Sequence, residues 1–245
     1  MQANRQRETA DPLVLVPGLD GTGLLFYRQV PLLETHYEVE THRLRDDAAT
    51  LADLVEGLDA RIARLAASGR RVTLVGESFG GALSLCYALA HPDRVERLVI
   101  INSFPHFGPQ ARLWLGYHLL RATPWGVMRI VRQLTARRLH SAHTGREEIE
   151  RFHQLMRATT RAGYLSRLHM LRTYDVRERL AQLTVPVLYV AADGDHLVPA
   201  VEQARLMASL TPRASVRVLA GHGHICLIAP GVDLARILDE WTPPA

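Results

Sequence analysis

The chain has 245 residues, 47% of them hydrophobic and 22% charged, with a mean hydropathy of −0.03; these values exclude a disordered or membrane-spanning polypeptide and fit one globular domain with room for an insertion. The net charge is +4 and all 29 basic residues are arginines, many of them between Arg112 and Arg179 among Leu, Met and aromatic residues at helical spacing. A solvated helical face accounts for them, so no nucleic-acid partner is expected.

Before Asp11 there is no apolar stretch of a secretory leader, and no window of the chain approaches 18 consecutive apolar residues. The expectation is a cytoplasmic protein without stable membrane insertion. Its two cysteines, Cys86 and Cys226, belong to no metal-spaced cluster and argue against a disulfide framework. The first strand is predicted over Leu13–Val16, and it runs into Pro17-Gly18-Leu19-Asp20-Gly21-Thr22-Gly23. Three glycines in six residues allow close backbone approach. Their spacing is neither G-x-G-x-x-G nor G-x-x-x-x-G-K-[ST], which disfavours nucleotide binding.

A weaker strand candidate, Val39–His42, precedes an amphipathic helix over 51–67; then Val72–Val75 leads through Gly76-Glu77-Ser78-Phe79-Gly80 into a helix over 80–90. By itself G-x-S-x-G arises by chance in roughly one chain of this length in fifteen. Strand before, helix after and a further glycine at Gly81 make it the context of a nucleophile elbow, in which glycines at 76 and 80 avoid collisions across a sharp turn. Ser78 is the candidate nucleophile, placed where the amides of a helix N-terminus can stabilise negative charge.

After the strand Leu98–Ile101, about eighty residues from 104 to 183 contain no convincing strand, too many for one crossover helix. They are read as a helical cap inserted into a core of 1–103 and 184–245, with helices expected over 111–120, 127–138, 147–162 and 164–173. Most of its aromatic residues (Phe104, Phe107, Trp114, Tyr117, Trp125) and Met128 are expected to form the cap's own core. Arg112, Arg121 and the other cap arginines are candidates for binding a substrate carboxylate or phosphate. The strand Val187–Ala191, a helix over 200–210, the strand Val216–Leu219 and a helix over 232–241 complete the alternation, which implies a mostly parallel sheet covered on both faces.

With the loop at 17–23 and the elbow at 76–80 in place, the chain resembles the α/β-hydrolase fold family from about Leu13 to its C-terminus. Its Pro17 stands where the family commonly has His, resembling the P-G-x-D-G-T-G loops of small bacterial hydrolases and of plant phytyl ester synthase-like acyltransferases. The resemblance implies an oxyanion hole from the amides of Leu19 and Phe79, and a triad in the chain order Ser, acid, His. The turn Ala192-Asp193-Gly194-Asp195-His196-Leu197-Val198-Pro199 matches the family's acid turn with Asp195 as the acid; Asp193 is the alternative, with a turn role as its plainer explanation. In Gly221-His222-Gly223-His224, the spacing to Leu234 favours His224 as base over His222. A metal site at these histidines lacks a third ligand in any recognisable pattern.

The implied chemistry is carboxylic-ester hydrolysis through an acyl-enzyme, with no cofactor and no metal, on a lipophilic small-molecule ester. Acyl transfer to an alcohol by the same triad and a non-catalytic ligand receptor on the same fold are the competing readings. Ser78 in place of Asp argues against epoxide hydrolase or dehalogenase chemistry. An insertion at this point of the fold lies over the mouth of the site and shapes an apolar pocket.

Overall fold

A computed structural model describes residues 10–66, 69–108, 117–124, 126–127 and 139–244. Six strands form one sheet in the order β2-β1-β3-β4-β5-β6: β1 Asp11–Val16, β2 Tyr37–Thr41, β3 Val72–Glu77, β4 Val95–Ile101, β5 Val187–Ala192 and β6 Ala214–Leu219. Every neighbouring pair is parallel. Central strands β1, β3, β4 and β5 read as near-continuous Val, Leu and Ile runs because both of their faces are covered.

The pleat divides each strand between two cores. Val14 and Val16 of β1 face one layer, where helices α2 (Leu51–Leu65), α3 (Phe79–Ala90) and α6 (Ala200–Leu210) pack; Leu13 and Leu15 face the other, against α1 (Gln29–Leu33) and α7 (Leu234–Glu240). Thr50 and Asp53 close a reciprocal capping box at the start of α2. Fully buried Gln29 has all its polar atoms used: its amide nitrogen donates to the carbonyls of Leu227 and Val232 at 2.6 and 3.0 Å, and its oxygen accepts from Leu234 N–H at 2.9 Å. This side chain ties α1 to the start of α7.

The insertion between β4 and β5 contains α4 (Arg146–Leu155) and α5 (Arg161–Met170). A single helix over 147–162 is not formed. Its last turn tightens into a 3-10 segment at Met156–Ala158, Thr159 is extended, and the Thr160 hydroxyl accepts from Gly163 N–H at 3.1 Å to begin a new helix. Hydroxyl capping of a fresh N-terminus outcompetes continuation through two β-branched residues. The helix expected over 164–173 therefore starts three residues earlier and ends at Met170. Leu168, Leu171, Tyr174, Leu180 and Leu183 pack into the same cluster as α2 and α3, so the C-terminal part of the insertion shares the core of the sheet. Helix expectations over 111–116 and 128–138 lie outside the described residues. Among the described residues no helix is long and apolar enough to cross a membrane.

Candidate active site

Between β3 and α3 the chain reverses within one residue. Ser78 has φ 54° and ψ −118°, a positive φ that a non-glycine residue adopts at a cost of about 1–3 kcal/mol. Surrounding bonds enforce it: Ser78 N–H donates to Ile101 carbonyl on β4 at 2.8 Å, and Ser78 carbonyl accepts from Gly81 N–H at 3.0 Å and the Ser103 hydroxyl at 2.7 Å. Gly80 is required because a Cβ there would strike the carbonyls of Val16 and Pro17, and Gly81 because its Cβ would lie 2.6 Å from Ser103 Cβ. The helix thus presses against the end of β1 and lifts the hydroxyl above the sheet.

Ser78 Oγ lies 3.0 Å from His224 Nε2, and His224 Nδ1 lies 2.6 Å from Asp195 Oδ2. The other carboxylate oxygen of Asp195 accepts from the amides of Leu197 and Val198 at 2.8 and 3.0 Å, which fixes its rotamer. Both side chains are buried, His224 to 8% exposure and Asp195 completely. Asp193 points elsewhere and accepts from Gly221 N–H at 2.7 Å, a turn role that ties the loop after β5 to the loop after β6. His222 is likewise apart from Ser78, with Nδ1 2.8 Å from the Ser141 hydroxyl.

The glycine-rich loop after β1 approaches the serine directly, since a Cβ on Gly18 would lie 3.5 Å from Ser78 Cβ. Within it, Asp20 accepts from the Thr22 amide and hydroxyl at 2.9 and 2.6 Å, and Gly21 N–H donates to Gly18 carbonyl at 3.0 Å. Leu19 and Phe79 flank Ser78 on the loop and on the helix. As first residue of α3, Phe79 carries an amide with no intrahelical partner.

A cavity of about 130 Å³ opens over Ser78 and His224. Its apolar wall comes from Leu25, Leu139, Phe152, Met156 and Ile225, with Leu197 at the rim. Phe104, Phe107 and Tyr117 instead pack against the core of the sheet. Trp114, Trp125, Met128 and Arg112 lie outside the described residues. Arg121 is exposed, and its carbonyl accepts from Arg161.

The family model for the α/β-hydrolase fold matches residues 11–229. The chain belongs to the α/β-hydrolase fold family. Among curated family members it is 31% identical to the Yersinia enterocolitica protein named "Putative carbamate hydrolase RutD", over 94% of this chain and 86% of that one. It is 29% identical to the Serratia proteamaculans protein of the same name, over 95% and 91%. A solved esterase from Thermogutta terrifontis shares the fold with a TM-score of 0.82 at 20% identity, covering 95% of this chain and 89% of that one.

Two features of this α/β-hydrolase site are not signalled by its motifs. Asn102, directly after β4, has φ 47° and is 1% exposed. Its Oδ1 accepts from Ala192 N–H at 2.8 Å, while its Nδ2 donates to His224 carbonyl at 2.8 Å. One side chain therefore joins the strand end before Asp195 to the backbone of His224. The only local signal is a polar residue of the kind that tolerates a left-handed conformation at the end of an apolar strand.

The second feature is acidity. Glu77 and Asp20, 7% exposed each, line the cavity beside Ser78. Burial pushes the Glu77 carboxyl up to about 7; the charge of His224 opposes this, and the Asp20 and Asp195 carboxylates reinforce it. Burial also raises Asp20, against the hydrogen bonds from Thr22.

Proposed function

We propose that this α/β-hydrolase is a serine esterase, in which Ser78 attacks the carbonyl carbon of a small ester with an apolar acyl group. The observation that carries the reading is the continuous chain from Ser78 Oγ through the His224 imidazole to the Asp195 carboxylate, at 3.0 and 2.6 Å, under an apolar cavity. His224 takes the hydroxyl proton as the C–O bond forms and returns it to the departing alkoxide. Asp195 holds the tautomer that leaves Nε2 free to accept and stabilises the imidazolium. The negative charge on the tetrahedral intermediate falls between the amides of Leu19 and Phe79. Water, deprotonated by His224, then attacks the acyl-enzyme, and His224 passes that proton to Ser78 Oγ as the acid is released.

Related proteins named for carbamate hydrolysis support a second reading, in which the same steps cleave a carbamoyl group. Hydrolysis of p-nitrophenyl esters of increasing acyl length, beside aryl carbamates, separates the two. The proposal expects ester turnover that falls off once the acyl chain outgrows the cavity and that drops at least ~10³-fold in Ser78→Ala. Faster carbamate than ester turnover would favour the second reading. Diversion of the acyl group to an added primary alcohol would show acyl transfer. No turnover and no labelling of Ser78 by a fluorophosphonate would leave a ligand-binding protein.

A further inference from the structure

The glycine-rich loop after β1 is held by a buried side chain from the segment between β4 and β5. Arg167, on α5, is 1% exposed, unlike the solvated arginines expected of this stretch. Its Nε donates to the Leu19 carbonyl at 3.0 Å, its Nη2 to the Asp20 carbonyl at 3.2 Å, and its Nη1 to Asp46 Oδ1 at 3.0 Å. The space for this guanidinium is made by glycines on two separate segments. A Cβ on Gly21 would lie 2.5 Å from the guanidinium carbon, and one on Gly163 would strike the Asp46 carboxylate and lie 2.8 Å from Nη2. Each of the three guanidinium nitrogens thus has an acceptor, one of them an anion, which offsets the cost of burying the cation.

The direction of a backbone N–H is set by the plane of its peptide. Gly21 N–H, bonded to Gly18 carbonyl at 3.0 Å, fixes the Gly18–Leu19 peptide, which contains the Leu19 amide. Arg167 fixes the next peptide through the Leu19 carbonyl and the one after through the Asp20 carbonyl. Both planes flanking Leu19 are thereby pinned. Without the arginine these two carbonyls would lose charge-assisted donors in a buried place, and the loop would turn to recover them.

We propose that Arg167 is a positioning residue for the oxyanion hole, acting from the insertion through the Leu19 and Asp20 carbonyls to hold the Leu19 amide toward the developing oxyanion. This inference rests on the proposed roles of Ser78 and Leu19. A lysine at 167 could meet one carbonyl but lacks the planar fork that meets both and Asp46 together.

The test is kinetic. In Arg167→Lys, ester kcat should fall roughly 10–100-fold, approaching the loss of one oxyanion donor, while KM stays within about threefold. Affinity for a phenylboronic acid, which adds to a serine hydroxyl as a tetrahedral anion, should fall in step with kcat/KM. In Arg167→Ala, millimolar guanidinium should restore part of kcat and methylammonium should not. Asp46→Asn, which keeps both carbonyl contacts and loses the ionic anchor, should lower kcat several-fold at unchanged KM and decides the matter if the Arg167 variants do not fold. Folded variants with wild-type kcat, or with KM raised and kcat kept, overturn the inference while the esterase reading stands. Failure of a fluorophosphonate to label wild-type Ser78 removes both.

Discussion

Replacing Glu77 by Gln removes a carboxyl that the fold holds beside the Ser78–His224 pair, 7% exposed and pushed by burial from its ordinary 4.5 to about 7. Because the folded protein binds the proton more tightly than the unfolded chain, this group favours folding fully below about pH 4.5. Stability is lost as pH rises toward 7 and is flat above it. The shift corresponds to about 3 kcal/mol, an upper figure since water and relaxation reduce the cost of the charged form. Glu77→Gln, neutral throughout, should match the wild type at pH 4.5 and exceed it by as much as ~3 kcal/mol at pH 8, roughly 6–12 °C in Tm.

The measurement is urea unfolding of both proteins from pH 4.5 to 8, read as the difference between them. Taking the difference matters because buried His42 and His140, each lowered to about 4 by desolvation, act in the opposite sense: their contribution is present above pH 6.5 and lost as pH falls toward 4. They cancel between wild type and variant. A difference that stays constant from pH 4.5 to 8, or a variant less stable at pH 8, would refute the reasoning, the latter by showing that the Glu77 anion is held by the His224 cation.

Three further outcomes follow from the backbone and the buried polar contacts. Ser78→Gly should abolish the proposed ester hydrolysis yet raise stability by about 1 kcal/mol in thermal unfolding, because glycine accepts the positive φ that strains serine. Asn102→Ala should cost about 2–4 kcal/mol in denaturant unfolding, since it leaves the Ala192 amide and the His224 carbonyl buried without partners, and should lower kcat by loosening the His224 loop. Gly80→Ala should destabilise by about 3 kcal/mol or give insoluble protein, because its new methyl meets backbone of β1 rather than a side chain that can move away.

The alternation of buried strands and amphipathic helices was legible in the residues because burial on both faces of a parallel sheet leaves an uninterrupted apolar run, and burial on one face of a helix leaves a 3.6-residue rhythm. Hence β1, β3, β4, β5, α2, α3 and α6 fall within a few residues of their expected places. The elbow was legible for a related reason: Gly76 and Gly80 are demanded by steric conflicts between residues a few positions apart or on the adjoining strand end, and such conflicts leave glycines at fixed spacing. The break at Thr159–Thr160 was not, because hydroxyl capping and helix continuation differ there by a small free energy that tertiary packing decides.

What the residues by themselves determined was therefore local or periodic: sheet type, the turn at Ser78, and a short choice of acids and bases on the loops after β5 and β6. Family resemblance narrowed that choice to Asp195 and His224, and only the tertiary structure brings the two into contact. Asp193 and Asp195 are two residues apart, as are His222 and His224, and likeness to the family's turns favoured Asp195 and His224 without giving the physical reason; that reason is tertiary, since Asp195 meets His224 and His224 meets Ser78 where the loops after β5 and β6 come together, while Asp193 holds Gly221 N–H and His222 contacts Ser141. The same holds for Arg167, which by sequence is one arginine among 29 and becomes a buried clamp only because α5 lies across a loop 147 residues earlier in the chain. Contacts that close such long loops are set by the packing of whole layers, whose preferences leave no pattern at the individual residue.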